Sequence, residues 1–385
     1  MIAIVVVAYS RPYETRRLIN SIVASYFDGD SVDLIVSIDK SNCQQEVYDA
    51  CNGVEWTHGK YSVIMQEQRL GLRPHILKCG ELTEKYDGVI VLEDDLFVSP
   101  NFYRFAKNAL IYYGNDERVA QISLYSYGVN EFVSRPFYPE KNEYDVYAMQ
   151  VTQSWGECWS RTMWENFMAS EYYTCATVKK RVDLPDNVNK WRDNSWKKNF
   201  TNYIADTGRF VIYPYYSYTT DYTIAGEHCK ADVPDYHVPM QGGNKMDFAL
   251  CPLDFCVKYD LFFERMDISP KLLNCESKNV CIDLFGLKKD YGDAEVLIST
   301  ARLPYAVLGQ YSLARKPQED NLLFPETGVG IFAYDLHKKT KNLPNNNLKQ
   351  VNRFDIGCIS WRKTLEHGLG GAWQAFRKRI GGKKK

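Results

Sequence analysis

Residues 88–98 decide the fold of this chain, and they read GVIVLEDDLFV. The apolar run at 89–92 is short and rich in β-branched side chains, as is typical of a buried strand. Glu93, Asp94 and Asp95 stand at its carboxyl end, where three charges are costly unless something positive meets them. In open α/β sheets, ligands bind outside the carboxyl ends of the strands, so the acids fall where a metal-chelated phosphate would lie. The alternative is a solvated turn that caps the next helix.

The composition describes a large, nearly neutral chain. Its 385 residues are 45% hydrophobic, which is enough for a full catalytic core and a smaller accessory unit. The 47 Lys and Arg residues balance 48 Asp and Glu residues, and the net charge is only -1. Because no overall field would draw in a polyanion, we expect no nucleic-acid partner.

The cysteines and the apolar segments indicate the compartment. The 11 cysteines are scattered without a CxxC pair, which favours reduced thiols of the cytosolic kind. The apolar run at residues 1–8 has no basic leader and is too short to span a bilayer, so it predicts a strand rather than a signal. No other segment has the length of a transmembrane helix. We therefore expect a cytoplasmic protein, soluble or peripheral on the inner face of the membrane.

Strands and helices alternate through the first third of the chain. Repeated β–α units with short connections imply an α/β fold, a mostly parallel sheet flanked by helices. The predicted strands cover residues 2–7, 34–38, 63–65, 89–92 and 119–124, and the predicted helices follow the first strand, cover about 74–85 and begin at 100.

The second half of the chain has a different texture. We expect a catalytic domain at 1–245, a smaller C-terminal accessory α/β unit at 246–345, and a basic amphipathic tail at 346–385. In the tail, apolar residues such as Trp361 and Trp373 alternate with Arg and Lys. Such a helix suits an anionic membrane surface, and the alternative is a solvated helix docked on its own domain.

Two further strand ends carry polar residues. Ala8, Tyr9 and Arg11 close the first strand and Asp39 closes the second, so with the acidic triplet they would line one edge of the sheet. A nucleotide fits such an edge, since an arginine meets phosphate or a base, and an aspartate accepts from a base or ribose. Individually, Arg11 as a surface charge and Asp39 as a turn-former are plain alternatives.

The chain resembles a known family in four segments. They read IVVVAYSRPYETRRLINSI, VDLIVSIDKSN, GVIVLEDDLFVSPNFYRF and WGECW, and they look like the GT-A fold glycosyltransferases, especially the N-acetylglucosaminyltransferase I family and related bacterial enzymes. The similarity covers roughly residues 1–230. It implies a GT-A, Rossmann-like mixed sheet and inverting transfer of a sugar from a nucleotide sugar, usually uridine-linked, with UDP-GlcNAc among the candidates. The acceptor would be a hydroxyl of a glycan or lipid-linked glycan such as a surface polysaccharide.

The resemblance also assigns roles to individual residues. Asp95 matches the acid that binds Mn²⁺ or Mg²⁺, while Glu93 and Asp94 would lie at the ribose and the sugar. Arg11 and Asp39 match positions that contact the nucleotide. A divalent cation would stabilise the charge that develops on the departing diphosphate.

An inverting reaction also needs a general base. In the family this acid lies in a Trp-flanked segment, which corresponds here to residues 191–196, and Asp193 is the only acid in it. Relatives more often place the acid directly beside a Trp. Asp221 and Glu157 are the reserves, and a helix N-cap is the alternative role for Asp193.

Two further elements would surround the donor and acceptor. Trp155 and Gly156 would wall the transferred sugar or the acceptor through ring stacking and close backbone approach. The loop that carries His228 would close over the donor, and His228 would reach a phosphate or the metal. A surface histidine without such a role is the alternative.

Two other functions remain open at this point. A sugar nucleotidyltransferase would share the fold, but the first strand is not followed by the glycine-rich, basic loop that would grip phosphates. A non-catalytic carbohydrate-binding or scaffold protein would have no need of a metal-diphosphate site.

Overall fold

A computed structural model describes residues 1–222, 236–268, 279–357, 360, 362–366, 368–371 and 373. The chain forms two compact units. The first comprises Met1–Ser269 with Phe285–Gly292, and the second comprises Pro270–Leu284 with Asp293–Lys385. The domain boundaries expected from the sequence remain a prediction.

The first unit alternates strands and helices, as predicted. Its strands are β1 (Ile2–Ala8), β2 (Val32–Ile38), β3 (Tyr61–Met65), β4 (Gly88–Glu93), β5 (Leu96–Val98), β6 (Val119–Ser123), β7 (Val129–Asn130), β8 (Arg135–Pro136), β9 (Val146–Met149), β10 (Glu157–Ser160), β11 (Phe210–Pro214), β12 (Thr219–Asp221) and β13 (Lys258–Tyr259). Its helices are α1 (Pro12–Val23), α2 (Gln44–Ala50), α3 (Leu72–Gly80), α4 (Phe102–Tyr113), α5 (Arg161–Met168), α6 (Glu171–Thr174), α7 (Asp186–Lys190) and α8 (Trp196–Thr207).

A nine-stranded mixed sheet organises this unit. Its strand order is β13-β9-β11-β6-β10-β4-β1-β2-β3, in which β4, β1, β2 and β3 run parallel and β10 is antiparallel to both of its neighbours. Strands β1 and β4 are buried along almost their whole length, because helices cover both faces of such a sheet. The mixed sheet flanked by helices confirms the predicted α/β fold class.

The register of the central strands sets the position of the site. In β1, Ala8 pairs with Ile38 of β2, and Val7 pairs with Glu93 of β4. Three parallel strands therefore end at nearly the same level, and the residues that follow them leave the same edge of the sheet. This confirms the expected alignment of the strand ends.

The second unit contains the strands β14 (Val280–Asp283), β15 (Val296–Ser299), β16 (Tyr305–Tyr311) and β17 (Ile331–Lys339), and the helices α9 (Asp320–Leu323) and α10 (Leu348–Ile356). The strands form a four-stranded sheet of order β14-β15-β17-β16. All of β15 and the first four residues of β17 are buried and form the core of this unit.

The described part of the predicted tail is helical in α10 and again at residues 362–366, 368–371 and 373. Leu365, Leu369 and Trp373 are exposed there, whereas Trp361 lies outside the described residues. Within the described ranges, we find no helix long and apolar enough to cross a membrane.

Candidate functional site

Arg11 joins the ends of two neighbouring strands. It stands directly before α1, and its Nη1 lies 3.3 Å from Asp94 Oδ1 and 2.6 Å from Asp95 Oδ2. The backbone N–H of Tyr9 donates to Asp94 Oδ2 at 3.2 Å. Residues predicted separately from two strand ends therefore form one cluster.

The backbone of Asp95 is held in place by residues that the sequence patterns did not single out. The Asp95 carbonyl accepts from Arg17 Nη2 at 3.1 Å and from the Tyr222 N–H at 3.1 Å. The Arg17 guanidinium also lies 4.5 Å from the centre of the Tyr222 ring. These contacts depend on the pairing of β12 with β5, which brings Asp221 opposite Leu96 and carries no local sequence signal.

The cluster carries an excess of negative charge. Burial, followed by the charges of Asp95, Asp94 and Asp221, raises the pKa of Glu93 well above its ordinary value. Burial and the charge of Asp95 raise the pKa of Asp94 to about 7, against the opposing effects of Arg11 and the Tyr9 N–H. Like charges held this close favour a bound cation.

The residues present fit a divalent cation in one specific way. Within the described ranges, no group of three or more His, Cys, Asp or Glu side chains is arranged to hold a metal ion by itself. The donors at the strand end are carboxylate oxygens, which Mg²⁺ and Mn²⁺ prefer, and Mg²⁺ is usually held by one or two carboxylates together with substrate phosphates. Asp95 therefore fits as a protein ligand in a site that a substrate diphosphate completes.

Asp39 is buried and has a clear structural role. Its Oδ1 accepts from the N–H groups of Lys40 at 2.8 Å and Leu70 at 2.7 Å, and its Oδ2 accepts from the N–H of Gly71 at 2.9 Å. The Asp39 N–H in turn donates to the Ala8 carbonyl at 2.9 Å. Asp39 thus fixes the loop before α3 at the same edge, and its contact with a nucleotide remains a prediction.

Trp155 and Gly156 form a constrained turn before β10. Gly156 has φ of +100°, and a Cβ there would approach Thr219 Cγ2 to 2.8 Å, so the position requires glycine. The partly buried Trp155 ring stacks on Tyr236 at a centroid distance of 4.5 Å. The turn therefore presents a fixed aromatic wall, whereas Trp159 and Trp164 are fully buried in the core.

Lys197 connects this aromatic wall to the acids. Its Nζ lies 5.3 Å from the centre of the Trp155 ring, 5.0 Å from the Trp191 ring and 3.6 Å from Glu131 Oε1. Its charge lowers the pKa of Glu93, opposing the dominant effect of burial. Nothing in the local sequence pattern separates Lys197 from a surface lysine, so only the structure reveals these contacts.

The candidate bases differ in position. Asp193 is half-exposed, and its Oδ1 lies 2.7 Å from Lys198 Nζ. This ion pair involves no residue of the acidic triplet. Asp221 is buried and close enough to the triplet to raise the pKa of Glu93. Glu157 is fully buried, and burial, reinforced by the charge of Glu93, raises its pKa well above the ordinary value. His228 lies outside the described residues, so its predicted role stays a prediction.

Comparison with known proteins gives only structural similarities. No protein-family model matches the chain, and no curated protein sequence matches it. S. aureus TarS 1–349 in complex with UDP-GlcNAc is similar at a TM-score of 0.39 and 14% identity, over 59% of this chain and 60% of that one. The mannosyltransferase PcManGT from Pyrobaculum calidifontis, in complex with GDP-Man and Mn²⁺, is similar at a TM-score of 0.35 and 11% identity, over 55% of this chain and 54% of that one. GalNAc-T7 with UDP, GalNAc and Mn²⁺ is similar at a TM-score of 0.39 and 13% identity, over 56% of this chain and 42% of that one.

These solved structures include a mannosyltransferase. The chain spans about 60% or less of the length of the three structures compared. At these TM-scores the similarity carries no argument about activity. The geometry of the strand ends is the feature of this chain that bears on its activity.

Proposed function

We propose that this chain is a metal-dependent, inverting glycosyltransferase. It would move a sugar from a nucleotide sugar, uridine-linked and with UDP-GlcNAc among the candidates, to a hydroxyl of a glycan or lipid-linked glycan such as a surface polysaccharide. The observation that carries the proposal is the contact of one Arg11 guanidinium with Asp94 and Asp95 at the ends of adjacent parallel strands. An arginine and an excess of carboxylates at such an edge suit a nucleoside diphosphate and its cation.

The donor would lie along this edge. Arg11 supplies positive charge to the phosphates, and Glu93 and Asp94 accept hydrogen bonds from ribose and sugar hydroxyls. Asp95 would hold Mn²⁺ or Mg²⁺, which when bound offsets the charge on the departing diphosphate. Ala8, Tyr9 and Asp39 would complete the nucleotide contacts, and His228 would reach a phosphate or the metal.

The acceptor would approach from the side of Trp155. Indole rings stack on sugar faces, and the Trp155 ring is already held against Tyr236. The Lys197 ammonium lies against the neighbouring Trp191 ring, and it is close enough to Glu93 for its charge to lower the pKa of that carboxyl. The wall therefore orients the acceptor without itself taking part in proton transfer.

A carboxylate must take the proton from the attacking hydroxyl, and Asp193 is the proposed base. Its side chain is half-exposed, with Oδ1 2.7 Å from Lys198 Nζ, so an acceptor hydroxyl can reach the carboxylate from solvent. Asp221, which lies close to the triplet, is the reserve. Substrate binding would have to bring the acceptor hydroxyl within hydrogen-bond distance of whichever acid serves.

The basic tail would attach the protein to the inner face of a membrane, where lipid-linked acceptors are found. Exposed Leu365, Leu369 and Trp373 supply apolar contacts, and the neighbouring Arg and Lys residues supply charge.

The test is product analysis with the full chain. Incubation with UDP-GlcNAc and other nucleotide sugars, Mn²⁺ and a glycan acceptor is expected to release a nucleoside diphosphate in proportion to sugar transferred, with inversion at the anomeric carbon. A nucleotidyltransferase would instead form pyrophosphate from a nucleoside triphosphate and a sugar phosphate. Formation of pyrophosphate without sugar transfer would contradict the proposal.

A further inference from the structure

The second unit contains a cavity that has no part in the proposed transfer site. Its volume is about 780 Å³, and three segments line it. They are the segment after β16 at residues 312–316, the loop at 327–329 and the helix α10 with its flanking residues. Leu313 and Phe354 give it an apolar floor, and both are buried.

The charged side chains that line this cavity are all cationic. They are Lys316, Lys349 and Arg353 among the described residues. Lys349 and Arg353 have no ion-pair partner in the described part of the chain and stand one turn apart on α10. Like charges at this spacing destabilise an isolated helix by about 0.2–0.5 kcal/mol. The helix therefore keeps an unfavourable pair on the face that meets the cavity.

Lys316 adds a third positive charge from a different segment. Its Nζ lies 5.3 Å from the centre of the Phe354 ring, so the ammonium sits over the apolar floor. Cations from two separate elements thus converge on one space. An anion with several oxygens is the ligand that such an arrangement fits.

Hydrogen bonds hold the three segments together without any ligand. The Gln350 amide donates to Ser312 Oγ at 2.8 Å, and its Oε1 accepts from the Val329 N–H at 3.2 Å. A Cβ at Gly328 would approach Ser312 Cα to 2.6 Å, so the backbones are packed as closely as glycine permits. The walls of the cavity are therefore built in advance, and binding need not order them.

We propose that this cavity binds a phosphate ester, with Lys316, Lys349 and Arg353 contacting its oxygens. The phosphate would come either from a soluble phosphorylated sugar or from a lipid headgroup, and both present the same chemistry to the three cations. The site is separate from the strand-end acids and does not depend on the proposed transfer reaction.

Titration calorimetry of the full chain with inorganic pyrophosphate, in EDTA, tests the proposal. EDTA removes the cation that diphosphate binding at Asp95 would use. Since a hydrogen bond to a charged group contributes about 1.5–3 kcal/mol, the double variant K349E/R353E should bind at least about tenfold more weakly. The milder K349Q/R353Q keeps the test available if charge reversal prevents folding. Vesicles of phosphatidylglycerol, compared with phosphatidylcholine, form the second arm.

Matched variants locate the binding. K338E/K339E makes the same charge change at exposed positions of β17 outside the cavity and should bind pyrophosphate within about twofold of the unaltered chain. In EDTA, pyrophosphate binding by Asp95→Ala should still depend on Lys349 and Arg353. If pyrophosphate binding depends on Lys349 and Arg353, the ligand is a soluble phosphate ester. If only vesicle binding depends on them, the ligand is a lipid headgroup. The proposal is overturned if binding of neither probe depends on these two residues. It is also overturned if K338E/K339E loses as much affinity as K349E/R353E.

Discussion

Arg11 Nη1 lies 2.6 Å from Asp95 Oδ2, although 84 positions separate the two residues in the chain. The parallel pairing of β1 with β4 creates this contact, because it brings the two strand ends to the same level. One guanidinium faces a cluster whose mutual repulsion raises the pKa of Glu93 beyond the effect of burial. The site thus keeps negative charge that a cation can offset.

Replacement of Gly156 tests the turn that presents Trp155. Gly156→Ala would combine an unfavourable φ with a contact of 2.8 Å to Thr219, so we expect a loss of about 2–4 kcal/mol in the free energy of unfolding. Gly208→Ala is the control, since Gly208 also has positive φ but a Cβ there meets nothing within 4 Å. The Gly208→Ala variant should lose only about 1 kcal/mol in the free energy of unfolding. Equal losses in urea unfolding would show that the close contact with Thr219 is relieved at no cost.

His75 predicts a pH dependence of stability. It is buried with Nε2 2.7 Å from Ser37 Oγ, and burial lowers its pKa to about 4. An unfolded histidine takes up a proton near pH 6.5, whereas the folded protein resists protonation until about pH 4. This contribution to stability is therefore complete above pH 6.5 and is lost as the pH falls toward 4.

The measurement compares His75→Gln with the unaltered chain at pH 7.5 and 4.5. The amide of glutamine keeps a partner for Ser37 but does not titrate. Between pH 7.5 and 4.5, the free energy of unfolding measured in urea should fall by about 2–3 kcal/mol more in the unaltered chain than in the variant. An identical pH dependence in both proteins would mean that the folded protein protonates His75 as readily as the unfolded chain.

The sequence patterns located the strands whose ends form the site, because apolar runs such as residues 2–7 and 89–92 are strong local signals. They also brought Arg11, Asp94 and Asp95 together, since the ends of parallel strands share an edge. They did not reveal Arg17, Tyr222 or Lys197. Those contacts depend on the antiparallel pairing of β12 with β5 and on ring contacts from α8, which involve distant segments with no periodic signature.

The identity of the base is tested by two substitutions. Asp193→Asn should keep donor binding and lower the transfer rate by about 10²–10⁴-fold, as expected for loss of a general base. Asp221→Asn is measured alongside it, with donor binding followed by thermal shift. Normal transfer by Asp193→Asn with a large loss in Asp221→Asn would move the assignment to Asp221.

The tail is tested by removal of residues 361–385. We expect weaker co-sedimentation with anionic liposomes and no change with neutral ones, because charge and apolar contact both contribute to such binding. Leu365→Ser combined with Leu369→Ser in the full chain should show part of the same loss. Unchanged binding after truncation would leave the tail with a structural role alone.

The most direct test of the strand-end site is a thermal-shift titration with nucleotide sugars, with and without Mn²⁺, on the unaltered chain and on Asp95→Ala. Asp247→Ala, at an exposed aspartate outside the acidic triplet, serves as the matched control. At a ligand concentration about 100 times the dissociation constant, binding stabilises the folded protein by about 2.7 kcal/mol, which raises the melting temperature by several degrees. We predict this rise for one nucleotide sugar in the presence of Mn²⁺ and its loss in Asp95→Ala, whose melting temperature without ligand stays nearly unchanged. A rise that persists in Asp95→Ala, or its absence with every nucleotide sugar, would contradict the account.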